Sequence, residues 1–382
     1  MKKIYLDNGA TSFPKAPGVG KAVAEYIDCN GANVNRGVYA KASDAAMTVL
    51  ETREQLKTLF HFPGDLRQVV FTPGVTYALN QVLRGFLRPG DHVIVGSLEH
   101  NAVMRPLTDL NEKCVVFDRI PASFDGIMTA EDMLPLINRK TKLVVISHAS
   151  NVCGSIAPIK RISELCRLNG IGLVLDAAQT AGHEEIDFGE LGLAALCVPG
   201  HKGLLGPQGI GAMLLEKSFA QQLTPIVTGG TGSASDSERQ PDYMPDRFES
   251  GTMNLPGIHG LNASLGYILG RGTQSIREHE KALTQRFMDG ISGAAVRIAG
   301  SGDVEKQVGV VSLDFESIDN AEAAFKLESE YGIMTRCGLH CAPNAHKTLG
   351  TFPQGTVRFS VGYATTEAEI DIAAQAVREI AR

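Results

Sequence analysis

Lys202 has the residue type and the surroundings of a catalytic lysine. It lies in the run Pro199-Gly200-His201-Lys202-Gly203, downstream of an apolar segment that ends in Asp176-Ala177-Ala178-Gln179. Desolvation in an apolar region keeps a lysine amine neutral part of the time, so that it can attack an aldehyde and form a Schiff base. An upstream aspartate is the residue type that pairs with a pyridinium nitrogen. Together the two residues predict a site for pyridoxal 5'-phosphate (PLP).

Asp176 follows a predicted strand, and the ends of such strands are where ligands of open α/β sheets collect. A carboxylate there would keep a pyridine nitrogen protonated, and Gln179 could hydrogen-bond the phenolic oxygen of the ring. Taken alone, Asp176 could equally cap a helix after the strand. Its combination with Gln179 and Lys202 favours the cofactor.

A turn after another predicted strand offers a phosphate site. Gly74, Val75 and Thr76 follow the apolar residues 69–71 and open a predicted helix. Backbone N–H groups at a helix start, together with the Thr76 hydroxyl, form a phosphate cradle. His201 is a further candidate phosphate ligand. Turns of this kind are common, so the motif is weak evidence by itself.

Three further polar residues lie at strand ends or within a strand. His100 could stack on a cofactor ring or carry a proton, or it could be a solvent-facing histidine at a helix start. Asn151 is likewise a strand-end residue, with capping as its alternative role. Arg358, between Val357 and Phe359, could clamp an α-carboxylate with both guanidinium arms, or it could be a surface strand residue.

Cys341 differs from the other cysteines because glycine and proline flank it, in Arg336-Cys337-Gly338-Leu339-His340-Cys341-Ala342-Pro343. This composition indicates a shaped loop. Arg336, His340, His346 and Lys347 could favour the thiolate, which is the nucleophilic form of cysteine. A buried structural cysteine is the alternative, and we favour the nucleophile.

The elements that must position these residues form a predicted α/β domain. A helix is expected at 43–60 with Ser43 as its N-cap. Short β-rich runs typical of strands buried on both faces occur at 69–71, 92–95, 115–117, 143–146, 173–175, 195–198 and 212–215. The helical stretches between several of them predict a three-layer α/β/α domain with a mainly parallel sheet.

The remaining sequence predicts a smaller α+β C-terminal domain. Residues 229–246 lack periodicity and are expected to form a long, mobile loop. Helices are expected from 255 to 269, 277–290, 321–331 and 366–382, and strands at 308–315 and 356–361. We predict a large domain over 15–255 and a small domain over 256–382 that includes residues 1–14.

Composition excludes several functional classes. The chain has 382 residues, 43% hydrophobic residues and a net charge of −6, so it offers no basic field for nucleic acid or anionic lipid. No apolar run approaches the roughly 20 residues that span a bilayer. Seven scattered cysteines without a CxxC pair argue against a disulfide framework or a zinc site. We expect a cytoplasmic protein that binds neither nucleic acid, membrane nor metal.

The sequence resembles the class V aminotransferase family of PLP fold type I, and within it the cysteine desulfurase and selenocysteine lyase branch. The resemblance covers nearly the whole chain. It is carried by Tyr5-Leu6-Asp7-Asn8-Gly9-Ala10-Thr11, Asn33-Val34-Asn35-Arg36-Gly37, Glu99-His100-Asn101, Ser150-Asn151-Val152-Cys153-Gly154, Asp176-Ala177-Ala178-Gln179, Gly200-His201-Lys202, Arg247-Phe248-Glu249-Ser250-Gly251-Thr252 and the Cys341 loop, with a looser match at Val357-Arg358-Phe359-Ser360. The Cys341 loop is similar to the second of the two desulfurase groups.

The resemblance implies a role for each of these residues. Lys202 would hold PLP and later move protons, and His100 would stack on the ring. The implied phosphate ligands are Gly74, Val75, Thr76, His201 and, from the partner subunit of a homodimer, Thr252. The implied substrate ligands are Asn151, which also belongs to the cofactor set, Arg358 and Arg36. Cys341 would take sulfur from L-cysteine as a persulfide, leaving L-alanine, with a protein as a possible sulfur acceptor.

The sequence departs from the family pattern at Pro199 and Val75, where hydroxyl residues are frequent, so two phosphate contacts are reduced. Cys337 has no family role, and a structural role or a disulfide with Cys341 are both open. Selenocysteine lyase is the closest alternative activity. Two alternatives are more distant. The chain could be another class V aminotransferase or lyase, or it could be a PLP-binding scaffold or sulfur-acceptor partner without turnover.

Overall fold

The computed structural model describes residues 3–34 and 37–382. The strands within these residues are β1 (Ile4–Tyr5), β2 (Val69–Thr72), β3 (His92–Gly96), β4 (Val116–Ile120), β5 (Thr141–Ser147), β6 (Gly172–Asp176), β7 (Ala195–Pro199), β8 (Gly211–Leu215), β9 (Val296–Ile298), β10 (Val310–Phe315), β11 (Ile333–Met334), β12 (Arg336–Gly338) and β13 (Thr356–Ser360).

The α-helices of the same residues are α1 (Val19–Glu25), α2 (Ala40–Leu59), α3 (Val75–Phe86), α4 (Asn101–Asn111), α5 (Ile159–Asn169), α6 (Lys217–Gln222), α7 (Leu255–Arg271), α8 (Thr273–Gly290), α9 (Asn320–Tyr331), α10 (Pro343–Thr348) and α11 (Glu367–Ile380). A π-helical turn at Tyr26–Asn30 and two 3₁₀ helices at Leu66–Gln68 and Ala130–Leu136 complete the set. None of these described helices is both long enough and apolar enough to cross a membrane.

The central sheet has the strand order β2-β8-β7-β6-β5-β3-β4. Its strands from β7 to β4 pair in parallel, whereas β8 is antiparallel to both β7 and β2. Most of these strands are buried throughout because helices cover both faces, which confirms the predicted three-layer domain. The exception is β4. The prediction that it is buried on both faces is wrong, since β4 is an edge strand with mostly exposed or half-buried side chains.

Two apolar cores lie on opposite faces of this sheet. One contains residues of α2, α5 and α7, and the other contains residues of α3, α4 and α6. The prediction that Ser43 caps α2 is also wrong. The helix begins at Ala40 after Tyr39, and the Ser43 amide already donates to the Tyr39 carbonyl within the first turn.

A second sheet, of order β12-β13-β10-β9, packs with α8, α9 and α11 around a third core. The N-terminal segment belongs to this region, because β1 pairs in parallel with β11 and Ile4 and Leu6 lie in that core. The domain boundary at residue 255 stays a prediction. Helix α7, just beyond it, packs its buried residues into the first core, which would favour a boundary nearer to Gly272.

Residues 229–246 contain neither helix nor strand, as predicted. Side chains within the segment hydrogen-bond one another: the Tyr243 hydroxyl donates to Ser233 Oγ over 2.8 Å. The Gln240 amide also reaches Ser250 Oγ at 3.0 Å, which ties the segment to the residues that follow it. Its mobility stays a prediction.

A buried acidic group joins α8 to the loop after β6. The Glu280 carboxylate lies 3.5 Å from His183 Nδ1, and both residues are buried. Burial raises the pKa of Glu280 to about 8. The charge of Arg277 lowers this pKa, and the like charge of Glu184 raises it. Burial likewise lowers the pKa of His183 to about 4. Near neutral pH the pair is therefore a protonated acid beside a neutral imidazole.

Replacing Glu280 by glutamine is expected to stabilise the protein increasingly as the pH rises. The native pKa is raised, so the wild type binds more protons folded than unfolded. It loses stability between about pH 4.5 and 8 as this proton leaves. The gain should be absent near pH 4.5 and approach ~5 kcal/mol at pH 8.5, since each pKa unit between the native and unfolded states corresponds to ~1.4 kcal/mol. It is read from thermal unfolding midpoints across that range. The exposed Glu54→Gln is the control, and a difference that does not vary with pH would contradict the expectation.

Candidate active site

The carboxyl ends of neighbouring parallel strands bring the predicted site residues to one edge of the central sheet. Asp176 ends β6, His100 follows β3, and Lys202 lies in the turn after β7. The register places Asp176 opposite Ser147 of β5 and Cys197 of β7. This edge is where parallel sheets bind ligands.

Lys202 is half-buried, and its Nζ makes no hydrogen bond or ion pair to any residue that the structure describes. Burial lowers the pKa of its amine to about 8, although the Asp176 carboxylate acts in the opposite direction. The neighbouring cations Arg358 and Arg336 lower it further. A sizeable fraction of the amine is therefore neutral at slightly alkaline pH, which is the form that attacks a carbonyl.

Asp176 stays ionised at neutral pH even though it is 3% exposed. Burial raises its pKa to about 6, and the hydrogen bond from the Ala178 amide and the charge of Lys202 limit the rise. The Ala178 amide donates to Asp176 Oδ1 over 2.9 Å, so the carboxylate also caps the turn that follows. Asp176 can therefore cap the following turn through Oδ1 and still bind a ligand through its second carboxylate oxygen. The Gln179 amide donates to the Gly9 carbonyl over 3.0 Å.

His100 is the N-cap of α4, and its Nδ1 accepts the Ala102 amide proton over 3.0 Å. Its ring proton must then lie on Nε2. Burial lowers the pKa of His100 to about 4, with the charges of Lys202 and Arg358 contributing. The alternative of a solvent-facing histidine is wrong in part: His100 does start a helix, but it is a partly buried neutral imidazole close to Lys202.

The start of α3 and His201 could hold a phosphate. The amides of Val75 and Thr76 lie in the first turn, where helical amides have no partner within the helix, and neither has an acceptor among the described residues. A Cβ on Gly211 would come within 2.9 Å of the Gly74 Cα, so this helix start lies directly against the β7–β8 edge. His201 Nδ1 is buried without a hydrogen-bond partner in the described part of the chain.

One residue that the family resemblance adds to the site, Thr252, lies elsewhere in this subunit. Thr252 is exposed and lines a cavity with Arg53 and Glu249, apart from the cavity that Lys202 lines. Arg36 lies outside the described residues. The sequence does not predict Lys15, whose ammonium donates to the His201 carbonyl over 2.8 Å.

Arg358 is 2% exposed, so the alternative of a surface strand residue is wrong. Its Nη2 donates to Asp7 Oδ1 over 3.0 Å, its Nη1 donates to the Asn151 carbonyl over 3.0 Å, and its Nε is buried without a partner in the described chain. Asp7 also accepts from Arg336 Nη2 at 2.9 Å. Sequence reasoning missed Asp7 as the partner of both arginines. Its place in the motif Tyr5-Leu6-Asp7 was the available signal.

Cys341 is exposed, in a turn between β12 and α10. Its thiolate would be close enough to Lys202 and Arg336 to favour their charged forms. The expectation that His340 and His346 favour the thiolate by charge is wrong. Burial holds the pKa of both imidazoles far below neutral. Lys347 points to the ring of Phe352 at 5.2 Å. Among the described residues, Arg336 and Lys202 are the basic groups on which the charge of the thiolate would act.

Cys337 points away from this centre. On β12 its neighbour Arg336 reaches Asp7, whereas Cys337 lies near Asp319 at the start of α9. Alternate residues of a strand face opposite sides, so Cys337 and Cys341 are badly placed for a disulfide.

Cys337→Ser is accordingly expected to keep more than half of the wild-type activity. Mass spectrometry of the unreduced protein should find no Cys337–Cys341 disulfide. A large loss of activity, or a disulfide that forms during turnover, would contradict the orientation argued for Cys337.

Relatives and solved structures are similar to this chain over nearly its whole length. A probable cysteine desulfurase of Methanothermobacter thermautotrophicus is 32% identical, over 99% of this chain and 94% of the relative. A cysteine desulfurase of Pectobacterium carotovorum is 29% identical, over 96% and 90%.

Among solved structures, the apo cysteine desulfurase of Thermococcus onnurineus superposes with a TM-score of 0.92 at 30% identity, covering 99% of this chain and 94% of that one. The cysteine desulfurase CsdA of Escherichia coli gives a TM-score of 0.88 at 25% identity with the same coverage. These likenesses confirm the predicted fold class, the fold type I of PLP-dependent enzymes. The family model for class-V aminotransferases matches residues 4–372, and the chain therefore belongs to the class-V aminotransferase family.

Proposed function

We propose that this chain is a PLP-dependent cysteine desulfurase that converts L-cysteine to L-alanine and receives the sulfur on Cys341 as a persulfide. The observation that carries the proposal is the position of Cys341: an exposed thiol on a turn that reaches the same centre as the half-buried amine of Lys202. An aminotransferase has no need of a thiol there. The relatives named cysteine desulfurase support the same activity.

The polar groups at this edge of the sheet fit the cofactor, and Lys202 Nζ and His201 Nδ1 have no partner among the described residues. Lys202 Nζ would hold it covalently, the Asp176 carboxylate would face the pyridine nitrogen, and the neutral His100 ring would stack on it. Gln179 would reach the phenolic oxygen. The amides of Val75 and Thr76, with Gly74 and His201 Nδ1, would hold the phosphate. When bound, PLP supplies an electron sink that weakens the bonds around the substrate's α- and β-carbons.

The chain's own groups then bind substrate and move protons. Arg358, through its unpartnered Nε, and Asn151 would bind the substrate carboxylate, with Arg36 as a further proposed ligand. The neutral Lys202 amine can take a proton from the α-carbon and return it, because its pKa lies near the working pH. His100 is also neutral, so it can stack without adding a repulsive charge beside Lys202.

Sulfur transfer follows as a displacement at sulfur. The Cys341 thiolate attacks the substrate sulfur, an S–S bond forms, and the bond between that sulfur and the substrate β-carbon breaks. The β-carbon is reduced and takes up a proton to become the alanine methyl group, and the transferred sulfur is oxidised to the persulfide level. The persulfide stays on an exposed turn, where an acceptor protein could collect it.

A homodimer is part of the proposal. Thr252 lies with Arg53 and Glu249 in a cavity that Lys202 does not line, so in its own subunit it is poorly placed to bind the phosphate. In a homodimer it could serve the site of the partner. We also propose a cytoplasmic location, which rests on the composition of the sequence.

The test is to incubate the purified protein with L-cysteine and PLP and to measure alanine and sulfide. Equimolar alanine and sulfide in the presence of a reductant are expected. Absence of alanine from the wild-type protein would refute the proposed activity.

A further inference from the structure

Asn151 joins two parts of the site that come from distant regions of the sequence. Its side-chain Nδ2 donates to the His340 carbonyl over 2.6 Å, and its own backbone carbonyl accepts from Arg358 Nη1 over 3.0 Å. Asn151 is 7% exposed and Arg358 is 2% exposed, so both hydrogen bonds are shielded from water. Such bonds are hard to replace once they are lost.

The turn that Asn151 holds has an unfavourable backbone conformation. His340 has φ 48° and Cys341 has φ 57°, which places two successive non-glycine residues in the left-handed region. Each such residue costs on the order of 1 kcal/mol. A turn of this kind keeps its shape only if the surrounding contacts hold it.

Among the described residues, three hydrogen bonds from other elements hold this turn. Asn151 binds the His340 carbonyl, the Asn101 amide donates to the Cys341 carbonyl over 2.8 Å, and the His340 ring is 3.1 Å from Thr356 Oγ1. The contact of Asn101 comes from the first residue of α4, and that of Thr356 comes from β13. Of the three groups, only Asn151 also binds the guanidinium at the site.

That guanidinium is itself fixed. Arg358 is ion-paired to Asp7, and Asp7 also pairs with Arg336 on the strand that leads into the turn. Arg336 and Arg358 are direct partners in the register of β12 and β13. Asp7, Arg358, Asn151 and His340 thus form a chain of contacts that leads to the Cys341 turn, and Arg336 connects Asp7 to the strand before that turn.

We propose that Asn151 is a positioning residue that sets the distance between the Arg358 guanidinium and the Cys341 thiol. The inference rests on the proposed function and deepens it. If Arg358 holds the substrate carboxylate, this distance decides whether the substrate sulfur meets the thiol. Reacting atoms must approach to about 3–3.5 Å, and a misplacement of about 1 Å can lower the rate 10²-fold. Aspartate has no donor for the His340 carbonyl, and alanine has no side-chain hydrogen bond at all.

The first measurement is hydrogen exchange of the peptide that covers residues 338–345 in the protein as purified. The Ala342 amide donates to the Leu339 carbonyl over 2.9 Å within the turn, so its exchange reports whether the turn is held. We expect exchange at least ~10-fold faster in Asn151→Ala and Asn151→Asp than in the wild type. Asn169→Ala, which removes a similar amide-to-carbonyl hydrogen bond on α5, should leave this peptide unchanged. Unchanged exchange in both Asn151 variants would overturn the inference.

The second measurement separates positioning from substrate binding. Alanine formation should fall ~10- to 100-fold in Asn151→Ala. The L-cysteine concentration that half-saturates the change in cofactor absorbance should rise by a smaller factor, which reports the lost contact of Asn151 with the substrate carboxylate. Thr356→Val removes a contact to the same turn but keeps the hydrogen bond between Arg358 and the Asn151 carbonyl. It should show the same faster hydrogen exchange of the turn peptide and a smaller loss of alanine formation. A large shift in half-saturation with normal exchange would make Asn151 a substrate ligand only.

The two failures are distinguishable. If the wild type forms no alanine, the proposed function fails, whereas the exchange data still decide whether Asn151 holds the turn. If Asn151→Ala does not fold, Asn151→Asp and Thr356→Val carry the test.

Discussion

Lys202→Ala is expected to lower alanine formation from L-cysteine by at least ~10³-fold, because one amine both holds the cofactor and moves protons. Among the described lysines, no other combines its features: the charge of the Asp176 carboxylate acts on its amine, Nζ has no hydrogen-bond partner, and its pKa is about 8. Arginine at this position would keep the charge but could not form the covalent link. Lys202→Arg should therefore be as inactive as the alanine variant.

The measurements are alanine formation and borohydride trapping of the cofactor, followed by peptide mass spectrometry. The wild type should carry the reduced adduct on the peptide with Lys202, and both variants should lack it. Lys217→Ala, an exposed lysine at the start of α6, is the matched control and should behave as the wild type. Adduct on another lysine, or activity within tenfold of wild type in Lys202→Ala, would contradict the assignment.

The parts of the site that sequence predicted are those whose signals are local. Asp176 and Lys202 each follow a short run of buried apolar residues, and parallel strands end at one edge of a sheet whatever their order in the chain. Placing the runs as strands was therefore enough to bring the two residues together. For the same reason the start of α3, after β2, lies against the edge that carries His201.

The parts that were missed depend on contacts across the whole chain. Asp7 meets Arg358 only because β1 joins the C-terminal core. Its place in the Tyr5-Leu6-Asp7 motif signals a role, but the residues around it do not indicate which partner it binds. The apolar start of β4 is compatible with a buried strand, but its place at the sheet edge exposes it. The sequence suggested from residue type alone that His340 and His346 could carry a charge. Both imidazoles are buried by the packing around β13 and α10, and this burial keeps them neutral.

Cys341→Ala is expected to lower alanine formation from L-cysteine by at least ~10²-fold while leaving cofactor binding intact. The thiol is the only proposed acceptor for the substrate sulfur, and without it the carbon–sulfur bond has no nucleophile to complete its cleavage. The residues proposed to hold PLP are unchanged in this variant. The cofactor absorbance and its response to L-cysteine should therefore persist, which separates the loss of sulfur transfer from the loss of the site.

The choice of substrate decides between the two closest activities, because selenide leaves more readily than sulfide and needs a thiol less. If Cys341→Ala loses activity on L-cysteine but keeps most of it on L-selenocysteine, the thiol serves sulfur transfer and the site itself can process both substrates. A wild type much faster on L-selenocysteine would favour a selenocysteine lyase. Cys337→Ser controls for the removal of a neighbouring thiol, and mass spectrometry should find an added sulfur on Cys341 after brief incubation with L-cysteine. Undiminished alanine formation by Cys341→Ala would show that the exposed thiol has no role in the reaction. Lys202 would then be compatible with any PLP-dependent reaction of the class V family.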